Sequence, residues 1–324
     1  LDERPLRADD EINPDVVGYI FEKYINQKQM GAYYTKEDIT EYIAKNCIVP
    51  FIFDRVEGEM KKIGKDQEFY NMFRILADDP DRYIYAPVKH GVAIPLPKEI
   101  EDGIDTTKPN LIERRADWNR PAPPEYALPT ETWREVVARR QRYAEIHTTL
   151  TTNYAALGIN DLITLNLNIR QFTQDCIENA ESPDLLWAFW KTIEEISVLD
   201  PTCGSGAFLF AALNVLEPLY EACLDRMKAF MLEWSQAKRV PHPNFYEKFA
   251  SVIAHVEKHV NEKYFIYKSI IIRNLYGVDI MDEAVEICKL RLFLKLAAQI
   301  EPDYGQDNLG IEPLPDIDFN VRAG

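Results

Sequence analysis

Two aspartates and two glycines are the residues best suited to hold a small ligand. The stretch LDPTCGSGAFLFAAL (199–213) places Asp200 before a turn that contains Gly204 and Gly206, and Asp279 ends the segment GVD. Each aspartate closes a short apolar segment that precedes a helical pattern, which is typical of strand-turn-helix units. In an open α/β sheet such carboxyl ends meet at one edge, where glycines admit a ligand close to the backbone. The residues predict a nucleoside pocket, with Asp279 placed to accept hydrogen bonds from ribose hydroxyls.

The residues beside the glycines exclude two common nucleotide sites. A P-loop needs Gly-Lys-Ser/Thr, but Ala207 and Phe208 follow Gly206. A dinucleotide fingerprint needs a third glycine where Leu209 stands, and Asp200 would repel an incoming pyrophosphate. A cofactor that carries a positive amino or sulfonium group fits these residues better. A nucleotide-dependent oxidoreductase is therefore disfavoured.

Three motifs carry a resemblance to a known family. DPTCGSGAFL, with GAYYTK upstream and NLYGVDIMDEAVEICKLRL downstream, resembles the amino-terminal part of the N6-adenine DNA methyltransferases. Within them the sequence is most similar to the large enzymes of BREX-type phage exclusion and of single-chain type II restriction-modification systems. The motifs lie at residues 31–35, 199–209 and 274–294. The resemblance implies a site-specific, adenine-specific DNA methyltransferase of a bacterial defence system, with S-adenosyl-L-methionine as cofactor.

The resemblance assigns cofactor contacts position by position. It implies that the upstream motif covers the methionine end, that the turn contacts the amino-acid moiety with Phe208 packed nearby, and that Asp279 holds the ribose with Ile280 against the adenine. The residues implied to bind the cofactor are Tyr34, Thr35, Asp200, Pro201, Thr202, Cys203, Gly204, Ser205, Gly206, Phe208, Asp279 and Ile280. No metal ligand is implied.

The sequence also departs from this family. Its catalytic motif, Asn or Asp followed by Pro-Pro and an aromatic residue, does not occur among the 324 residues, so no catalytic residue is assigned. The nucleophilic Pro-Cys of cytosine C5 enzymes is absent too. Because the chain starts at Leu1 and ends with the strand-like PDIDFNVRAG, we expect a cofactor-binding fragment that is inactive alone. We expect the intact enzyme to flip its target base, because the adenine amine cannot reach the cofactor from within the duplex.

The surrounding pattern predicts the elements that hold these residues. We expect a helical region at 1–77 with the GAYYTK loop, a loop-rich insertion at 78–130 and a second helical region at 131–195. Residues 196–324 are expected to begin a parallel α/β sheet, with a helix that Pro218 kinks and an insertion at 225–268. The predicted fold class is α/β: a partial Rossmann-like, S-adenosylmethionine-dependent methyltransferase fold after a mainly helical amino-terminal region.

Composition limits the partners. The net charge of −16 repels DNA on average, so we expect double-stranded DNA to bind the full-length protein and this fragment weakly or not at all. Other defence-system subunits are further candidate partners. Five scattered cysteines without a CxxC pair indicate reduced thiols in the cytoplasm. No apolar run approaches the roughly 20 residues of a membrane span, so no membrane is expected.

Several features have competing interpretations. The basic run Arg134, Arg139, Arg140 and Arg142 could face DNA, but interleaved glutamates favour a solvated helix face. His255 and His259, with His242 nearby, also indicate a solvated face more than a metal site. Cys203 is more simply a small turn residue than a reactive thiol. A different class of function also stays open: an acidic protein-interaction or DNA-mimic module with a vestigial pocket.

Overall fold

Helices account for most of the computed structural model, which describes residues 14–24, 35–236, 241–300, 305 and 320–324. In chain order the elements are α1 (Pro14–Tyr24), α2 (Glu37–Lys62), α3 (Asp66–Asn71), α4 (Ile75–Asp78), α5 (Ala86–Lys89), α6 (Lys98–Glu101), α7 (Leu111–Arg114), α8 (Trp133–Thr152), α9 (Ile159–Thr164), α10 (Ile169–Glu178), α11 (Pro183–Glu195), β1 (Val198–Asp200), α12 (Ala207–Ser235), α13 (Pro243–Val256), α14 (Glu262–Ser269), β2 (Leu275–Asp279), α15 (Asp282–Ala297) and β3 (Val321–Ala323). A π-helical turn, Ile270–Asn274, leads into β2.

The chain forms two units, one of residues 1–69 with 173–324 and one of residues 70–172. The domain boundaries expected from the sequence, after residues 77, 130 and 195, stay a prediction. The helical patterns near the amino terminus are confirmed as α1 and α2. α2 is continuous for 26 residues although Pro50 lies inside it.

The three strands form a parallel sheet in the order β1-β2-β3. Asp200 of β1 pairs in register with Gly277 of β2, and Gly277 pairs with Val321 of β3. β2 therefore extends two residues further, to Asp279, which brings both aspartates to the same edge of the sheet. The predicted parallel α/β arrangement is confirmed for these strands. The part of PDIDFNVRAG that precedes Asn320 lies outside the described residues.

α12 forms the centre of the larger unit. It is 29 residues long, continues through Pro218 and packs on α2 and α11. The helix also contains residues 225–235, so the predicted insertion at 225–268 begins inside α12 and goes on through α13 into α14. Edge-to-face contacts of Phe53 with Phe189 and of Trp190 with Tyr220 join the three helices, at centroid distances of 6.0 and 5.5 Å.

α12 is also long and apolar enough to cross a membrane by length and composition. Sequence analysis did not anticipate this, because Glu217 and Glu221 interrupt the apolar run. However, 67% of its most apolar window is buried inside the protein. That burial is typical of a core helix in a globular unit.

The unit of residues 70–172 has its own core, in which Trp118 and Trp133 pack with Ile100, Val136 and Val137. Between residues 78 and 130 the helices are no longer than four residues, which agrees with the loop-rich prediction. α8 begins with a capping box in which the Glu135 carboxylate accepts hydrogen bonds from both the amide and the hydroxyl of Thr132.

The structure corrects the solvated-face interpretation for two arginines of the basic run on α8. Arg139 has only 10% of its side chain exposed, is paired with Glu131 at 2.9 Å and donates a hydrogen bond to the His90 carbonyl. Arg140 donates to the carbonyls of Ile94 and Gly91. These two arginines therefore stabilise the loop before the helix, because a guanidinium can serve several carbonyls that lack helical or strand partners. Arg134 and Arg142 are exposed.

Candidate functional site

The glycine turn connects β1 to the amino terminus of α12. Gly204 and Gly206 have φ angles of +51° and +94°, and Gly206 caps the helix. A Cβ on Gly206 would lie 2.6 Å from the Cys288 Sγ, so only glycine fits here on both conformational and steric grounds. The Cys203 amide donates to the carbonyl of Val278 at 2.9 Å, which fixes the turn against the end of β2.

Asp279 is bonded to the turn itself. Its Oδ2 accepts a hydrogen bond from the Gly204 amide at 2.8 Å, and its Oδ1 accepts one from the Met281 amide at 2.9 Å. Each carboxylate oxygen can accept a second hydrogen bond, so capacity remains for the predicted ribose hydroxyls. Asp279 thus also orients the turn, a contact with a residue 75 positions away that the sequence did not reveal.

Asp200 is the least satisfied group at this edge. Its Oδ1 accepts a hydrogen bond from the Thr202 amide at 3.0 Å, whereas its buried Oδ2 has no hydrogen-bond partner. Burial raises the pKa of Asp200, the Thr202 amide opposes this, and the neighbouring Asp279 carboxylate raises the pKa further. A buried acceptor without a donor beside a second carboxylate favours a cationic, hydrogen-bonding ligand. The amino group of S-adenosyl-L-methionine has this chemistry, so these residues fit the predicted cofactor.

A small open cleft of about 60 Å³ lies beside the turn, on the side of α1 and α2. Its lining includes Thr35 from the upstream motif, Ser205 and Ala207 from the turn, and Arg291 from α15. The fold therefore brings two of the predicted motifs together although about 170 residues separate them in sequence. Asp200 and Asp279 do not line this cleft, whose volume suits one end of a cofactor and not a whole nucleoside.

The other predicted residues differ in accessibility. Pro201 and Thr202 are exposed, Phe208 is half-buried, and Ile280 is 87% exposed, an unusual state for isoleucine that leaves its face open to a flat apolar ligand. Tyr34 lies outside the described residues.

The buried Cys203 side chain packs against Gly277, and a Cβ built on Gly277 would lie 3.0 Å from the Cys203 Sγ. This packing agrees with the interpretation of Cys203 as a small turn residue. The Cys288 thiol shares a hydrogen bond with Cys203, and this bond together with burial holds the pKa of Cys288 well above its usual value. All five cysteines are free thiols. Within the described part of the chain, no group of three or more His, Cys, Asp or Glu side chains is placed to hold a metal ion.

Sequence analysis missed one charged residue of this site, Arg291. It is 5% exposed, and its Nη1 donates to the carbonyl and the hydroxyl of Ser205 at 2.7 and 3.1 Å. The available signal was a single arginine inside the apolar segment LRLFL, where a charge is unexpected on a packed helix.

Comparison with known proteins identifies relatives of this arrangement. Residues 175–315 match the family model for the MmeI DNA-methyltransferase domain. This range contains β1, the glycine turn, β2 and α15. The chain is also 27% identical, over 97% of its length, to RM.MjaORFECS2P of Methanocaldococcus jannaschii, a protein to which a type II restriction enzyme and methyltransferase function is provisionally assigned. The alignment spans only 16% of that protein. No solved structure matches. Together these findings show that residues 175–315 are similar to a DNA-methyltransferase domain and that the chain is similar to part of a restriction-modification protein.

Proposed function

We propose that this chain is the S-adenosyl-L-methionine-binding part of a site-specific DNA adenine N6-methyltransferase. One observation carries the proposal: the buried Asp200 Oδ2 without a hydrogen-bond donor, at the strand edge where Asp279 and the glycine turn meet. An anionic ligand would be repelled here, and a neutral donor would satisfy the oxygen without offsetting the charges of the two neighbouring carboxylates. A ligand with an ammonium group would do both.

The architecture supports a Rossmann-like half sheet. In a doubly wound sheet the first three strands lie in the spatial order 3-2-1, and ligands bind at their carboxyl ends. β1, β2 and β3 have this neighbour order and are parallel. The proposed cofactor would lie across the carboxyl ends of β1 and β2, with its ammonium group at Asp200.

Each proposed contact has its own task. The bound cofactor supplies an electrophilic methyl group. Asp200 would accept the ammonium hydrogens, Asp279 would accept ribose hydroxyls while it keeps the Gly204 amide in place, and Ile280 would cover one face of the adenine. These residues bind and orient, and none of them is proposed to move a proton in the transfer.

The target base and the DNA are proposals for the longer protein. Adenine N6 is proposed from the motif resemblance. Residues 70–172 hold 13 lysines and arginines against 14 aspartates and glutamates, so nearly all of the −16 charge lies in the unit that contains the turn. We therefore propose that double-stranded DNA binds through other parts of the full-length protein.

We further propose that the full-length protein works in the cytoplasm of a bacterium. Its role there would be restriction-modification or phage defence, where other defence-system subunits are candidate partners. The relatives support the restriction-modification role more directly than the BREX-type one.

Isothermal titration calorimetry of the 324-residue chain tests the cofactor proposal. We expect S-adenosyl-L-methionine and S-adenosylhomocysteine to bind, because both carry the ammonium group and the ribose, and we expect NADH not to bind. A folded sample that takes up no S-adenosyl-L-methionine at millimolar concentration would refute the proposal. For the full-length protein, mass spectrometry of nucleosides from treated DNA should detect N6-methyladenine, and detection of a methylated cytosine alone would refute the adenine assignment.

A further inference from the structure

Arg291 is a buried charge that has to be explained. It lies on α15 between Leu290 and Leu292 and is 5% exposed. A guanidinium taken out of water is costly unless its donors find acceptors. Two of the acceptors that Arg291 meets, the carbonyl and the hydroxyl of Ser205, belong to the glycine turn, which joins the helix to the candidate site.

The contacts of Arg291 fix two parts of that turn. Its Nη1 donates to the carbonyl oxygen and to the hydroxyl of Ser205, which stands between the two glycines with positive φ. Its guanidinium also lies over the ring of Phe210 in the first turn of α12, with 4.4 Å from Cζ to the ring centroid. One side chain therefore holds the middle of the turn and the start of the following helix.

Gly18 on α1 makes room for this guanidinium. A Cβ built on Gly18 would lie 2.5 Å from both Cζ and Nη1 of Arg291. Glycine inside a helix costs about 1 kcal/mol relative to alanine, so the local preference of α1 opposes it. A residue with a side chain would therefore fit at this position only if the Arg291 guanidinium moved.

We propose that Arg291 is a positioning residue for the cofactor-binding turn, and that Gly18 keeps α1 clear of its guanidinium. The inference rests on the proposed function only for the identity of the ligand. Its structural part, that Gly18 and Arg291 together order residues 203–210, can be measured on the free protein.

Gly18→Ala tests the inference without a change of charge, and Gly58→Ala is the matched control. Gly58 also lies inside a helix, α2, but its added Cβ would meet no atom within 4 Å. In Gly18→Ala the methyl group should displace Arg291 from Ser205, and amide hydrogen exchange in residues 203–210 should become several-fold faster. Gly58→Ala should leave that exchange unchanged.

The same two variants are then titrated with S-adenosyl-L-methionine. We expect Kd to rise about tenfold in Gly18→Ala, the size of a lost charge-assisted hydrogen bond, and to stay unchanged in Gly58→Ala. Arg291→Lys, which keeps the charge but loses the planar donor group, should resemble Gly18→Ala. Wild-type exchange in 203–210 together with a wild-type Kd for Gly18→Ala would overturn the inference.

The two proposals fail in different ways. If the wild-type chain binds no S-adenosyl-L-methionine, the proposed function falls, and hydrogen exchange alone decides the role of Arg291. If exchange changes only within α1 in Gly18→Ala, Arg291 does not order the turn and the inference is wrong whatever the affinity.

Discussion

Asp200→Asn should separate two properties that usually change together, the stability of the protein and its affinity for a cationic ligand. Asparagine has nearly the same shape and keeps an oxygen that can accept the Thr202 amide now bonded to Oδ1 at 3.0 Å. The substitution removes only the negative charge and puts a donor in place of an acceptor at Oδ2. In the free protein Oδ2 has no donor, so its replacement breaks no existing hydrogen bond.

The two effects have opposite signs. The charge of Asp200 is disfavoured in the free protein, since burial and the Asp279 carboxylate raise its pKa. The free energy of unfolding of the variant should therefore lie within about 0.5 kcal/mol of the wild-type value, or above it. Loss of a hydrogen bond to a charged group costs about 1.5–3 kcal/mol, which corresponds to a Kd raised about 10- to 150-fold.

Calorimetric titration with S-adenosyl-L-methionine and urea denaturation measure the two effects on the same samples. Asp54→Asn is the control, because it removes one negative charge from an exposed position on α2, away from the turn. It should leave Kd unchanged. An Asp200→Asn variant that binds the cofactor as tightly as Asp54→Asn would refute the assignment of Asp200 to the ammonium group.

Further predictions concern pH and the packing inside each of the two units. As pH falls through the raised pKa of Asp200, protonation removes the negative charge of the carboxylate. The affinity of the wild type for S-adenosyl-L-methionine should therefore fall, whereas the affinity of Asp200→Asn should stay constant. Calorimetric titrations across this pH range measure both affinities. Asn274→Ala should destabilise the protein by about 3 kcal/mol in urea denaturation, because the buried amide donates to two carbonyls and accepts from the Tyr220 hydroxyl. Tyr220→Phe removes one of these hydrogen bonds and should cost only about 1 kcal/mol. Arg139→Met should lower stability by about 3 kcal/mol, because it leaves its carboxylate partner unpaired, while Arg142→Met at an exposed position should be neutral in the same assay.

The local elements of the candidate site could be predicted because their signals are local. Apolar segments followed by an aspartate and a helical pattern predicted β1 and β2, and the structure confirms both with their parallel pairing. The pair Gly204 and Gly206 predicted a turn, and in the structure both residues have positive φ. Such features depend on a few neighbouring residues.

The length of α12 and the role of the basic run on α8 were not predictable in the same way. Asp225, Arg226 and Lys228 look like the start of a polar segment, but α12 continues to Ser235 because its buried face still packs on neighbouring helices. Arg139 has the sequence context of an exposed arginine. It points inward because the loop at His90 offers carbonyls without other partners.

The sequence by itself determined the nature of the site: two carboxylates at strand ends, a glycine turn between strand and helix, and the motif order that resembles a methyltransferase. Only the tertiary structure decided which groups hold that turn. Asp279 bonds to Gly204 across 75 residues, Arg291 reaches Ser205 across 86, and Gly18 lies directly against the guanidinium of Arg291. The physical reason is that secondary structure follows from local backbone preferences and periodic burial, whereas a buried charge or an unpaired acceptor finds its partner only after distant segments have packed.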